Sequence, residues 1–180
     1  VGPLPASADG HLYIFTIIDR TTRWLEAVPL KGISAASCIE AFLSCWVARF
    51  GAPETITSDR GAQFSSASWA AFCSKLGSRH IMTTAYHPQA NGLVERAHRQ
   101  LKDALRARGA STDWPSHLPW VLLGLHAAPK EISGLSSAEA VFGQPLALPG
   151  EVTGGQEAAP RAFKEQLASS SPPTTLQPPT

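Results

Sequence analysis

The sequence predicts a layered α/β domain, and three observations predict it. Two β-branched and aromatic runs open the chain. Helical periodicity then alternates with short strand-like runs, and after that the pattern is helical only. At 180 residues the chain fits one domain of ordinary size, with enough length for a real core.

The elements follow in order. Residues 11–19 form the first strand-like run and residues 23–30 the second, with a polar hairpin turn over Asp19, Arg20, Thr21 and Thr22. Ser34 to Phe50 reads as a helix whose apolar face holds Ala35, Ile39, Phe42, Leu43, Trp46, Val47 and Phe50, and Gly51 terminates it. A short strand is expected at 54–58 and another at 79–84. Between them Trp69, Phe72, Cys73 and Leu76 keep helical spacing over 66–76, and Gly77 supplies the stop. A long helix is expected from Asn91 to Arg108, with Leu93, Val94, Ala97, Leu101, Ala104 and Leu105 inward. Asp113 to Ala128 is a further helix, and Pro119 inside it predicts a kink or break near Leu118. Ser137 is expected to cap a short helix through Phe142. We therefore divide the chain into a folded core, 1–145, and a Pro/Ser/Thr-rich tail, 146–180, expected to be disordered.

Composition narrows the function classes. Hydrophobic content of 43% and charged content of 16% suit a soluble globular protein, and no run approaches the ~18 apolar residues of a membrane span. No signal-peptide pattern follows Val1, which points to an intracellular, non-secreted protein. The missing initiator methionine suggests a piece of something longer. Cys38, Cys45 and Cys73 are odd in number and show no zinc spacing with the six histidines, so buried reduced thiols are expected. The net charge of +1 announces no nucleic-acid partner. Local charge says more: between Glu95 and Arg108 five basic residues (Arg96, Arg99, Lys102, Arg106, Arg108) face two acidic ones. For the helix alone a solvated face is the favoured reading, and beside a metal-binding carboxylate phosphate contact becomes the better one.

Two carboxylates carry the chemistry. Asp59 ends the strand-like run from Glu54 and enters a turn with Arg60 and Gly61. Glu95 follows 35 intervening residues later, in what reads as the first turn of a helix opened by the loop His87, Pro88, Gln89, Asn91 and Gly92. A strand end and a helix start can bring two carboxylates together around hard divalent cations, which take oxygen ligands. Two such metals, roughly 3.5–4 Å apart, clamp attacking and leaving oxygens in phosphoryl transfer on nucleic acid.

The chain resembles the catalytic core of retroviral and Gypsy-type LTR-retrotransposon integrases. The residues that carry the resemblance are Gly2 to Pro5, Ile18-Asp19-Arg20, Thr22-Arg23-Trp24, Glu26-Ala27, Ser58 to Gly61, Phe64, Tyr86 to Gln89 with Asn91 to Arg96, and Ala138 to Gly143. It implies an RNase H-like fold: a mixed five-stranded sheet in spatial order 3-2-1-4-5 with helices on both faces. It also implies three acidic ligands, the first standing two residues before Val1. On that reading the family's first strand is largely missing from this chain. Asp19 is a possible substitute, but topology sets the hairpin turn at the opposite sheet edge from Asp59, so its expected role is in the turn.

By the same resemblance the complete enzyme uses two Mg²⁺ or Mn²⁺ ions, held in part by Asp59 and Glu95, to process DNA 3′ ends and join them to target DNA. Gln89 and Asn91 in the loop, and Arg99 and Lys102 on Glu95's helical face, are the DNA-contact candidates, with Arg60 and Gln63 weaker ones. Element-end and target DNA, a homo-oligomer and a nuclear location are implied, and no membrane. Trp24, Trp46 and Trp69 are expected as core or interface aromatics. The alternative reading is a domesticated or decayed domain that binds DNA or protein without catalysis.

Overall fold

The structure, a computed structural model, describes residues 1–83, 88–130 and 133–150, apart from the side chains of residues 88–91. The expected tail from 151 onward lies outside the described residues, as do His87 and residues 84–86. Val1–Leu146 forms one compact unit, and Ala147 onward belongs to a second.

Two strands, β1 (Tyr13–Ile18) and β2 (Leu25–Leu30), pair antiparallel with Tyr13 opposite Leu30 and Ile18 opposite Leu25. The turn forms because the Asp19 carboxylate accepts hydrogen bonds from the Thr22 amide and hydroxyl, each at 2.7 Å. Alternation along β1 then sets its two faces. Ile14 joins a cluster with Leu101, Leu105, Trp114, Leu118 and Val121, whereas Phe15 and Ile17 pack against the cluster of Cys38, Phe42, Ile56, Trp69, Phe72 and Cys73. Helices therefore cover both sides of the hairpin.

Ser34 caps the next helix, accepting from the Ser37 amide. It does not run uniformly to Phe50. α1 (Ala35–Phe42) passes into a π-helical turn (Leu43–Val47) and then a final α-turn, α2 (Ala48–Phe50). The wider turn displaces the inward stripe. Cys38, Ala41, Phe42 and Cys45 are the buried residues, while Leu43 and Phe50, both expected inward, are exposed. All three cysteines are buried and free.

β3 (Thr55–Ser58), α3 (Ala67–Leu76) and β4 (Arg79–Met82) form a parallel crossover unit, with Thr55 opposite Arg79 and Ser58 opposite Met82. Ser66 caps α3 and Gly77, at φ 71°, ends it in the left-handed conformation that glycine adopts without strain.

α4 spans Pro88–Ala107, beginning three residues before the expected start at Asn91. Proline suits the first helical position, since its fixed φ is already helical and it lacks an amide that would be unbonded there. Glycine inside a helix costs ~1 kcal/mol, and burial of Ala97, Leu101 and Leu105 offsets it. Glu95 thus lies about two turns inside α4 and not in its first turn; Gln89, Asn91 and Gly92 are helical backbone, not loop.

α5 (Trp114–Ala127) continues through Pro119 without the expected break, presenting Trp114, Leu118, Val121 and His126 to the core. α6 (Ser137–Phe142) is capped by Ser136, one residue earlier than expected. Its hydroxyl accepts from the Glu139 amide while Glu139 accepts from the Ser136 amide, a reciprocal capping box.

The β1–β2 and β3–β4 ladders are separate two-stranded sheets among the described residues. In the order implied by the resemblance, β2-β1 and β3-β4 flank the place of the family's first strand. Val1 exchanges two hydrogen bonds with Ile14, at 2.7 and 2.8 Å, and the Leu4 amide bonds the Leu12 carbonyl, so the start of the chain lies along β1's free edge.

Candidate active site

Asp59 is placed by β3. Its Oδ1 accepts from the Gly61 amide at 2.9 Å, which turns the chain immediately after the strand. Ser58 ties that strand end to β4, with its hydroxyl 2.9 Å from His80 Nε2. The Asp59 side chain is exposed, and its Oδ2 has no hydrogen-bond partner among the described residues.

Glu95 is placed by α4, whose inner face is anchored by Ala97, Leu101 and Leu105. It too is exposed and has no ion-pair partner among the described residues. Three residues further on, His98 Nε2 lies 2.7 Å from Thr16 Oγ1 of β1. Burial pushes His98 down to about 4, helped by the Val1 ammonium and Lys102, while Asp59 pulls the other way. The Val1 ammonium is itself lowered by burial and Lys102, and raised by Asp59.

One carboxylate and one ammonium therefore act on the same two groups. Asp59 and Lys102 both act on His98 and the Val1 amino group; Glu95 stands three residues before His98 on α4 but is not among the charges that act on either. Asp19 is not among the charges acting there. Its own pKa would be raised by burial, but the hydrogen bonds from Thr22 and the amides of Thr21 and Arg20 hold it below the usual value. It borders an apolar depression lined by Trp24, Trp46 and Phe50.

The DNA-contact candidates divide. Arg99 and Lys102 are exposed on α4 and take part in no ion pair among the described residues. Arg60 is exposed beside Asp59 and Gln63 is half-buried. The side chains of Gln89 and Asn91 lie outside the described residues. Trp24 and Trp69 are buried and Trp46 half-buried; Trp24 stacks on His126 at 3.7 Å between ring centroids.

Two exposed carboxylates offer the oxygen donors that Mg²⁺ and Mn²⁺ prefer. Among the described residues no third histidine, cysteine or acid joins them. The donor type fits a divalent ion and the donor number supplies part of its shell. Sequence reasoning missed His98 and Thr16. The usable signal for His98 was its i+3 spacing from Glu95 on the same helix.

Two strand ladders with helices packed against them fit the RNase H-like class. Comparisons with known proteins narrow it. Residues 2–88 match the Integrase core domain family. The chain is 30% identical over 151 residues to the retrovirus-related Pol polyprotein from transposon 412 of Drosophila melanogaster, covering 83% of this chain and 12% of that protein. It is 33% identical over 150 residues to the Gag-Pol polyprotein of Koala retrovirus, covering 81% of this chain and 9% of that protein. The crystal structure of the BIV integrase catalytic core superposes with a TM-score of 0.62 at 27% identity, covering 71% of this chain and 83% of that one. A simian T-cell lymphotropic virus intasome shares the fold, with a TM-score of 0.63 at 22% identity over 82% of this chain and 60% of that one. The chain belongs to the integrase core-domain family. It spans only about a tenth of the length of the curated polyproteins it matches.

Proposed function

We propose that this chain is the catalytic core of an LTR-retroelement integrase, which in the whole protein cuts and joins DNA ends with divalent metal. The observation that carries this reading is the family membership, and the electrostatic reach of Asp59 to His98 on α4, beside Lys102, supports it. Asp59 and Glu95 would hold Mg²⁺ or Mn²⁺. When bound, such ions activate the attacking water or 3′-hydroxyl and neutralise phosphate charge. Arg99 and Lys102 bind the DNA backbone, and Gln89 and Asn91 sit at the helix start that faces it. Element-end and target DNA, a homo-oligomer and a nuclear location belong to the same reading.

Two carboxylates leave most of each metal shell to water. The 180-residue chain is therefore expected to bind DNA without joining ends at a useful rate. Mn²⁺-dependent end joining by the purified chain, abolished by Glu95→Gln, would overturn that expectation. DNA binding itself is tested by charge reversal. Arg99→Glu with Lys102→Glu should lower duplex affinity at least about tenfold and flatten its salt dependence by about one unit per lost phosphate contact. Unchanged affinity would remove α4 from the DNA interface. The second reading is a domain that binds DNA without catalysis. Metal-independent DNA affinity that Asp59→Asn leaves unchanged would select it.

A further inference from the structure

We infer that His98 is a positioning residue, and that its hydrogen bond to Thr16 sets where α4 presents Glu95 and Lys102 to the site. This rests on the proposed function for its catalytic meaning, but the contact itself does not.

The argument begins with what holds α4. Its buried residues Ala97, Leu101 and Leu105 are apolar, and the hydrophobic drive that buries them is non-directional. A directional bond adds a constraint on the helix about its axis. Between α4 and the β1–β2 hairpin the Thr16–His98 bond, at 2.7 Å, is the single side-chain hydrogen bond among the described residues.

Its placement matters as much as its length. Thr16 shares the inward face of β1 with Ile14, and Ile14 belongs to the cluster that holds Leu101 and Leu105. His98 continues that contact one turn toward the start of α4. Glu95 precedes His98 by three residues and Lys102 follows it by four, so both lie within about one turn of the bond. Rotating α4 about its axis would turn both charged groups with it.

The chemistry of the pair is directional too. A neutral imidazole has one donor and one acceptor nitrogen, so Nε2 can either give a proton to the threonine hydroxyl or take one from it. Histidine is long enough to reach the strand from the helix, and asparagine offers an amide of the same polarity on a shorter stem. Valine in place of Thr16 keeps the β-branched shape and removes only the hydroxyl.

The test uses the full chain carrying Thr16→Val, His98→Ala, both together, and His98→Asn. Amide hydrogen exchange over residues 92–102 reads the anchoring of α4 directly and requires no DNA. Either single change should speed exchange there by about fivefold, the effect of one ordinary hydrogen bond, and the double variant should do no more than either. Exchange in α1 and α5 should stay as in the parent chain. Duplex DNA affinity should fall in parallel by a similar factor, with His98→Asn recovering part of both losses. Unchanged exchange over 92–102, or strictly additive effects of the two changes, would overturn the inference. If the parent chain fails to bind DNA, the proposed function fails alone and the exchange result still decides the role of His98. If exchange responds but the affinity of a DNA-binding parent does not, the bond anchors the helix without positioning the site, and the inference is overturned.

Discussion

Single residues set the electrostatics of this site, and His98 gives the sharpest pH consequence. Its ordinary pKa of 6.5 is pushed to about 4 in the fold, chiefly by burial. His126 is lowered as well by burial, against the Leu25 carbonyl at 2.7 Å and the Glu26 charge. Between pH 6.5 and about 4 the unfolded chain therefore binds more protons than the folded one. Stability should fall as pH drops through that window and level off below it as far as His98 is concerned. The thermal midpoint, followed from pH 7.5 to 4.5, should decline more gently in His98→Asn than in the parent chain; identical slopes would show that His98 is not a buried neutral imidazole. Asp59 and Glu95 could be singled out in the sequence as candidates because their spacing and neighbours are local facts. His98 was less legible because a histidine on a helix face has no local signature: its significance comes from Thr16, 82 residues away in sequence.

Elements were readable wherever periodicity was uniform. The β1–β2 hairpin, the β3-α3-β4 unit and the inward faces of α4 and α5 follow from spacing 2 and spacing 3.6, except that Val94, expected inward on α4, is exposed. Departures occur where backbone geometry shifts the count. The π-helical turn at Leu43–Val47 moves the stripe, so a face counted forward from Ala35 leaves Leu43 and Phe50 in solvent. The start of α4 was misplaced because Pro88, Asn91 and Gly92 are turn formers by composition, yet the buried face further along pulls them into helix. This difference is testable. Gly92 has no positive φ, and a Cβ added there would meet only an Arg96 guanidinium nitrogen at 3.4 Å. Gly92→Ala should therefore stabilise the chain by ~0.5–1 kcal/mol, which for a domain of this size is a rise of about 2–4 °C in Tm. A fall in Tm would mean that residue 92 needs the freedom of a loop.

At the scale of the whole molecule the two separate ladders dominate. Val1 and Ile14 exchange both backbone hydrogen bonds, which fixes an antiparallel register along the edge of β1 that faces away from β2. Continued backward, the same register sets a residue two before Val1 opposite Thr16, beside His98, and one four before it opposite Ile18. The backbone groups of Thr16 and Ile18 on that edge have no partner among the described residues. A buried backbone hydrogen bond made or lost is worth ~1–3 kcal/mol against a net domain stability of ~5–15 kcal/mol, so pairing along that edge would weigh heavily. The hairpin is also held by packing of Phe15 and Ile17 toward α1 and α3 and of Ile14 toward α4 and α5. Open strand edges also invite association between chains. Fusing about six strand-forming residues before Val1, an ordinary strand length, should bridge the ladders, raise the thermal midpoint and suppress aggregation. An aspartate two residues before Val1 in that extension should in addition create Mn²⁺ affinity that an asparagine there does not, because a third carboxylate then meets Asp59 and Glu95. A cooperative, monomeric transition that the extension leaves unchanged would show that the space between β1 and β3 is no strand position.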